Sequence, residues 1–397
     1  MTTSPAVPTR LFARSYSIVV VATFGFFAAF GMSLPILPRY VVDVLGQGDV
    51  VVGLVFGAYA VSAVLVRPLI GRIGDVHGRR WLVLGGSLVT AIGLFGHLLA
   101  DSVTILVMMR LLAGAGQAAV VVGFATMALD LAPTERQGEA SSYVMVAVQL
   151  GIGAGPMLGE LLLRAGSYDA VWVASGVGAL LSLLAAGFLP ADVRRRVVGR
   201  SGLFHPAGVR PGVIMGLGAI GFVGWLAFVP LYGDQIGLEQ VAPVFLVCSG
   251  TVALVRTLGA RLPDRIGAVT GATVALSLMA VGFVAMGVLR TPTGLYLTTI
   301  VMASGSALLA PSMVLAAIRG VEPQERARVM ATYTMFMDIA SAVGPSLLGL
   351  VAAVGGYGAT FVTTGVIAAV GLVLLRTWLA PRLALAPTGR VSPAPST

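Results

Sequence analysis

Twelve long apolar stretches dominate this sequence, and no water-soluble fold can bury them all. They run over residues 16–41, 50–72, 81–100, 103–129, 139–164 and 168–190, and then over 211–233, 242–262, 268–289, 294–318, 328–353 and 358–379. Each approaches or exceeds the roughly 20 apolar residues that cross a bilayer core as a helix. In hydrocarbon, backbone polar groups must be satisfied within the segment, so these runs are read as helices. Composition agrees: 10% of residues are charged and 57% hydrophobic, against about 25% charged in soluble domains. Mean hydropathy is +0.96. The single cysteine, Cys248, excludes an internal disulfide and a Cys-based metal cage. An all-α, multi-pass membrane protein with no room for a soluble domain is the expectation.

The formal charge of +9 comes entirely from Arg, with no Lys. In a membrane protein this reads as topology rather than nucleic-acid binding. With both termini in the cytoplasm, 21 of the 25 Arg fall on cytoplasmic segments or helix ends, and only Arg39, Arg164 and Arg290 lie outside. Arg110 lies within a span. Arg10 and Arg14 before an apolar run resemble a leader peptide, but the run is long and ends in Pro35-Ile36-Leu37-Pro38, so it is taken as the first span.

The two groups of six runs resemble each other. Arg67, Arg72, Asp75 and Gly78 recur as Arg256, Arg261, Asp264 and Gly267, each 189 residues later. Gly116 and Gly305 keep that offset, as do Gly155-Pro156 and Gly344-Pro345. Parallel six-span repeats build secondary transporters that hold substrate near mid-membrane between two halves. The expected organisation is a six-helix bundle over 1–190, a cytoplasmic linker over 191–210, a second bundle over 211–380 and a cytoplasmic tail over 381–397.

Between the second and third runs stands Gly71-Arg72-Ile73-Gly74-Asp75-Val76-His77-Gly78-Arg79-Arg80. Its glycines allow a tight turn and its Asp can accept from an Arg or a helix N-terminus. The stretch resembles the signature loop of the major facilitator superfamily. The second copy keeps Asp264 and Gly267, with Arg256 upstream, but has Ala268-Val269 in place of the paired Arg. Gly151, Gly155, Pro156 and Gly159, followed by Glu160, resemble the fifth-span motif of drug:proton antiporters in that superfamily, with Glu160 replacing a Gly. Arg110, followed by glycines, is similar to the fourth-span motif, which the resemblance associates with proton coupling.

Three ionisable residues inside apolar runs are candidate proton-coupling sites, because such charges are costly in lipid. Asp338 lies near mid-membrane, and Gln149 is its counterpart 189 residues earlier. Arg110 requires a wet cavity or a carboxylate. Glu160 can pair with Arg110, carry a proton or simply be wetted near the span end. Gln149, Met215, Phe222 and Trp225 are candidates for lining a substrate cavity, although aromatic and Met residues at helical spacing usually pack. His97 is read as a packed histidine. No phosphate-cradling loop, zinc motif or catalytic triad is present, so neither an enzyme nor a cofactor or metal site is expected.

The resemblance implies twelve spans in two pseudo-symmetric bundles, acting as a proton-coupled exporter of small hydrophobic or amphipathic compounds. The partners would be substrate, protons and lipid, with the chain a monomer in a bacterial-type plasma membrane. A metabolite or sugar permease working by symport or facilitation is the competing reading.

Overall fold

A computed structural model describes residues 14–133, 136–189, 204–259, 265–322 and 325–385. Among these residues there is no strand. The helices are α1 (Arg14–Ser33), α2 (Ile36–Arg39, continued by a wider turn over Tyr40–Val44), α3 (Asp49–His77), α4 (Arg79–Gly96), α5 (Val103–Leu131), α6 (Gln137–Ala165) and α7 (Tyr168–Gly187). The second half of the chain gives α8 (Pro206–Gln235), α9 (Ala242–Leu258), α10 (Ala268–Leu289), α11 (Pro292–Ile318), α12 (Arg326–Leu374) and α13 (Ala380–Leu385).

Ten helices among the described residues are long and apolar enough to cross a membrane. The difference from twelve apolar runs has two causes. The run at 242–262 yields only the 17-residue α9, and the last two runs form one continuous helical stretch of 56 residues, Arg328–Leu383. At 1.5 Å per residue that stretch would reach about 84 Å, far beyond a ~30 Å hydrocarbon core. It turns instead at Gly356, whose φ of 73° and ψ of 177° are non-helical. The start of α8 touches both ends of the stretch: the His205 amide donates to Thr332 Oγ1 at 2.8 Å, and Arg210 Nη1 to the Trp378 carbonyl at 2.6 Å. The far end of α8 meets its middle, with Tyr232 and Phe361 rings 5.0 Å apart. The two legs are therefore antiparallel. Large apolar side chains such as Val21, Leu65, Leu161 and Val281 are more than half exposed, as a surface solvated by lipid requires.

The 189-residue offset reappears in the packing. A methyl group at Gly116 would lie 2.5 Å from the Gly86 carbonyl oxygen and the Thr90 amide nitrogen; at Gly305 it would meet the Ala275 carbonyl at 2.5 Å and the Met279 amide at 3.0 Å. Gly93 faces the Ala113 amide and Gly282 the Met302 amide, at 2.7 and 2.8 Å on the same measure. Ser102 and Thr291 cap α5 and α11 by accepting from the amides of Ile105 and Gly294. Every one of these pairs is 189 residues apart, so the repeat is one of contacts as well as letters. Small residues at such crossings bring helix backbones together.

Gly78 and Gly267 complete the correspondence. They precede α4 and α10 with φ/ψ of 95°/165° and 83°/155°, a region essentially confined to glycine, where other residues cost about 1–3 kcal/mol. Gly78→Ala and Gly267→Ala are each expected to lower stability by about that amount. Denaturation in detergent checks this, and the losses add in the double variant because the sites are independent. A wild-type melt for either variant would show that the turn does not need its glycine.

Candidate functional site

The two halves of the chain meet along two seams. In the first, α6 faces α9: a methyl on Gly153 would lie 2.7 Å from Ser249 Oγ, and Gln149 Nε2 donates to that hydroxyl at 3.2 Å. The opposite face of α6 carries Gly151, Gly155 and Gly159, spaced by four residues, which lie against the α1 backbone at Phe24–Ala28, Ala28–Gly31 and Met32. Pro156 is buried within α6. The glycine motif thus lets α6 press on α1 while its other face reaches the second half.

This seam ends in Glu160. Its Oε1 accepts from Arg39 Nη1 at 3.1 Å and from the Val241 amide at 3.0 Å, while Oε2 accepts from the Ala242 amide at 3.2 Å. A carboxylate from the first half therefore caps the N-terminus of α9, where backbone donors lack intrahelical partners and the helix dipole favours negative charge. Arg39 also grips Asp234 at the end of α8, through Nη2–Oδ1 at 2.6 Å and Nε–Oδ2 at 2.9 Å. Nearby, Arg164 Nη2 donates to the Glu239 carbonyl at 2.7 Å. A cavity of about 240 Å³ opens beside this cluster, lined by Arg39, Asp43, Glu160, Arg164, Tyr168 and Glu239 among others.

In the second seam, α3 faces the first leg of α12. Tyr357 Oη donates to Asp49 Oδ1 at 2.8 Å at one end. Gly53 and Gly57 lie directly against the carbonyls of Pro345 and Ala342. At the other end Arg67 Nη2 pairs with Asp338 Oδ2 at 2.8 Å, and Nη1 donates to Thr334 Oγ1 at 3.1 Å. Arg67 and Asp338 side chains are 48% and 22% exposed, so this pair is more open than Glu160, which is 7% exposed.

Glu160 and Asp338 sit at opposite ends of the seams. The Arg79–Asp130 bridge, Nε to Oδ2 at 3.1 Å, ties the start of α4 to the end of α5. It marks the end that also holds the start of α6, leaving Glu160 at the far end with Arg39 and Asp49. The counterpart of Asp338 is Gln149, and that of Arg67 is Arg256, for which no ion pair occurs among the described residues. The counterpart of Glu160 is Gly349, packed against the Asp49 carbonyl.

The structure departs from some of the sequence expectations and agrees with others. Glu160 does not pair with Arg110. Arg110 is buried in α5, its Nε 3.4 Å from the Val55 carbonyl and its guanidinium stacked on Tyr59 and Phe56 at 4.4 and 5.6 Å. The Gly71–Arg80 stretch is no extended loop: α3 continues through His77 and only Gly78 breaks the helix before Arg79. Gly71 and Asp75 lie on that final part of α3; Arg79 reaches Asp130, and Arg80 Nη2 donates to the Gly187 carbonyl at 2.6 Å. These arginines tie α4 to α5 and α7. Asp264 and most of the linker lie outside the described residues. Met215 and Trp225 belong to the packed core; Phe222 stacks on Trp225 at 6.1 Å. His97 is packed, Nδ1 2.7 Å from the Gly93 carbonyl and its ring 5.0 Å from Trp172. Arg39 and Asp234 escaped the sequence reading; the signal available was the rarity of an Arg on that side of the chain.

Residues 19–306 and 251–396 match the sequence model of the Major Facilitator Superfamily. The chain is 26% identical over 385 residues to the MFS-type transporter YhhS of Escherichia coli (strain K12), covering 93% of each. Among solved structures it resembles a bacterial homolog of the human lysosomal transporter Spinster, with a TM-score of 0.78 and 14% identity over 95% of this chain and 98% of that one. The human organic anion transporter MFSD10 aligns with a TM-score of 0.69 and 20% identity, over 91% and 99%. With its apolar helices, repeated contacts and two inter-half seams, this chain belongs to the major facilitator superfamily and is a multi-pass membrane transporter.

Proposed function

We propose that the protein is a twelve-span, proton-coupled exporter of small hydrophobic or amphipathic compounds. In this reading residues 1–190 and 211–380 form two bodies that rock about the two seams, and the Arg39 end faces outward. Asp338 and Glu160 are the proton sites. The observation that carries the reading is that each carboxylate bridges the two halves, one at either end of the molecule: Asp338 pairs with Arg67 of the first half, and Glu160 accepts from the Val241 and Ala242 amides of the second. Neutralising either one weakens the contact between the halves at its end, which couples proton uptake to their parting. Arginine holds its charge throughout, so the carboxylates do the switching. Glycines of the fifth-span motif keep α6 on α1 during the motion, as the resemblance to antiporters implies.

Asp338→Asn retains the shape and removes the titration. In cells lacking their major exporters, a growth-inhibition screen identifies a transported compound, whose extrusion is then followed in vesicles under an imposed proton gradient. The variant is expected to lose gradient-driven extrusion by about tenfold or more, within the roughly 5–150-fold coupling usual between two linked sites. Exchange without a gradient is expected to persist. Unchanged gradient-driven extrusion and pH dependence would remove Asp338 from the mechanism, and uptake with protons instead of extrusion would reverse the direction proposed.

A further inference from the structure

Arg110 is a permanent cation that proton coupling leaves without a partner. It is the eighth residue of α5 and only 1% exposed. The described residues offer it no carboxylate. The Val55 carbonyl and the faces of Tyr59 and Phe56 take up part of its charge, yet Nη1 is buried with no hydrogen-bond partner. Arginine cannot shed its proton to relieve this, and an unpaired buried charge is among the least favourable groups in a protein interior.

A second orphan sits beside it. The Tyr59 hydroxyl is buried and without a partner, on the ring that lies 4.4 Å from the guanidinium carbon. Two unspent donors, one of them charged, thus belong to two groups already in contact, and both lack acceptors. The other neighbour of the Tyr59 ring is Phe30 of α1, stacked at 5.0 Å and only partly buried. A cation and a hydroxyl set among the rings of Phe30, Phe56 and Tyr59 complement an anion attached to an aromatic or apolar body.

We propose that Arg110 and Tyr59 form an anion subsite that takes the carboxylate of an amphipathic substrate, reached past the Phe30 ring. The proposal rests on the transport reading and narrows it: one substrate class is organic anions. A carboxylate oxygen accepts from Arg110 Nη1 and from the Tyr59 hydroxyl, satisfying both donors and the charge together. An inorganic anion has the same chemistry at smaller size, and the experiment separates the two.

The full chain in lipid nanodiscs is titrated with sodium benzoate and with neutral benzamide, at low and at high sodium chloride, and binding is read by calorimetry without any gradient. Benzoate is expected to bind at least tenfold more tightly than benzamide. Arg110→Gln removes that preference, and Tyr59→Phe, which keeps the ring and the cation, weakens benzoate about tenfold, in line with one hydrogen bond to a charged group. Tyr59→Phe also carries the test if Arg110→Gln does not fold. Equal binding of benzoate and benzamide, or benzoate affinity unaltered in Tyr59→Phe, overturns the proposal. Chloride binding that Arg110→Gln abolishes, with no benzoate preference, assigns the subsite to inorganic anions and overturns the carboxylate assignment. Because no proton gradient is involved, failure here is distinct from failure of Asp338 as a proton site.

Discussion

Replacing Glu160 with alanine is expected to expose Cys248 to thiol reagents. In the structure the only cysteine of the chain is buried within α9, six residues beyond the Ala242 amide that Glu160 accepts from. The substitution leaves the Val241 and Ala242 amides without acceptors while the seam stays closed. Each buried donor left unmet costs about 1–3 kcal/mol, so the closed arrangement loses roughly 2–6 kcal/mol on two such donors. An opened seam lets water meet the same amides, so the loss falls on the closed state alone. Since about 1.4 kcal/mol is tenfold in an equilibrium constant, alkylation of Cys248 by a maleimide is expected to quicken by tenfold or more. Arg39 keeps its tie to Asp234 across the same end, against which the opening is read, and Glu160→Gln falls between wild type and alanine because it retains an acceptor without the charge. A wild-type alkylation rate in Glu160→Ala would mean that the carboxylate does not hold the seam.

Gly53→Val is expected to abolish transport while leaving the protein folded. A side chain there runs into the Pro345 carbonyl and comes within 2.9 Å of Ser346 Cα. Both are backbone atoms that no rotamer change can move aside. Such overpacking costs about 1–3 kcal/mol or more, and it is relieved if α3 and α12 stay apart. Gly116→Val supplies the contrast. It adds the same volume against Gly86 and Thr90, inside the first half, where separation of the halves brings no relief. Gly116→Val is therefore expected to lower the thermal midpoint and folded yield, whereas Gly53→Val keeps both and loses flux. If the two variants melt alike, α3 and α12 form a permanent core contact and not a surface that parts.

Helices were legible in the apolar runs because hydrocarbon leaves the backbone one local solution. The gap between the runs at 328–353 and 358–379 even marked the reversal at Gly356, although the helix bridges it. The 189-residue offset was legible because close helix crossings admit only small residues, and the glycines at 93 and 282 or 116 and 305 perform the same task twice. Partnerships across the halves were not legible. Arg39 meets acids 121 and 195 residues away, and a charge alone does not name its counter-charge. Glu160 stood out as an acid in an apolar run, but its position near the end of that run fitted Arg110 as well as Arg39. Only the angle at which α6 presents it to α9 decides between them. The Gly71–Arg80 stretch read as a loop because it concentrates glycine and charge, whereas a single left-handed residue suffices to turn the chain.

A parallel duplication by itself sets each residue twice at the same depth and on the same side of the membrane, once in each half. Two departures break the equivalence of the halves: Gly349 stands where a second Glu160 would be, and Gln149 where a second Asp338 would be. Acid applied to one face meets a different clamp from acid applied to the other, so an oriented preparation is expected to respond to a pH jump from one side unlike the same jump from the opposite side. Each end of the molecule carries one such acid where strict repetition would give two, and exchanging those residues between the repeats moves each acid to the other half without moving it to the other face, so the exchanged chain is expected to keep its sidedness.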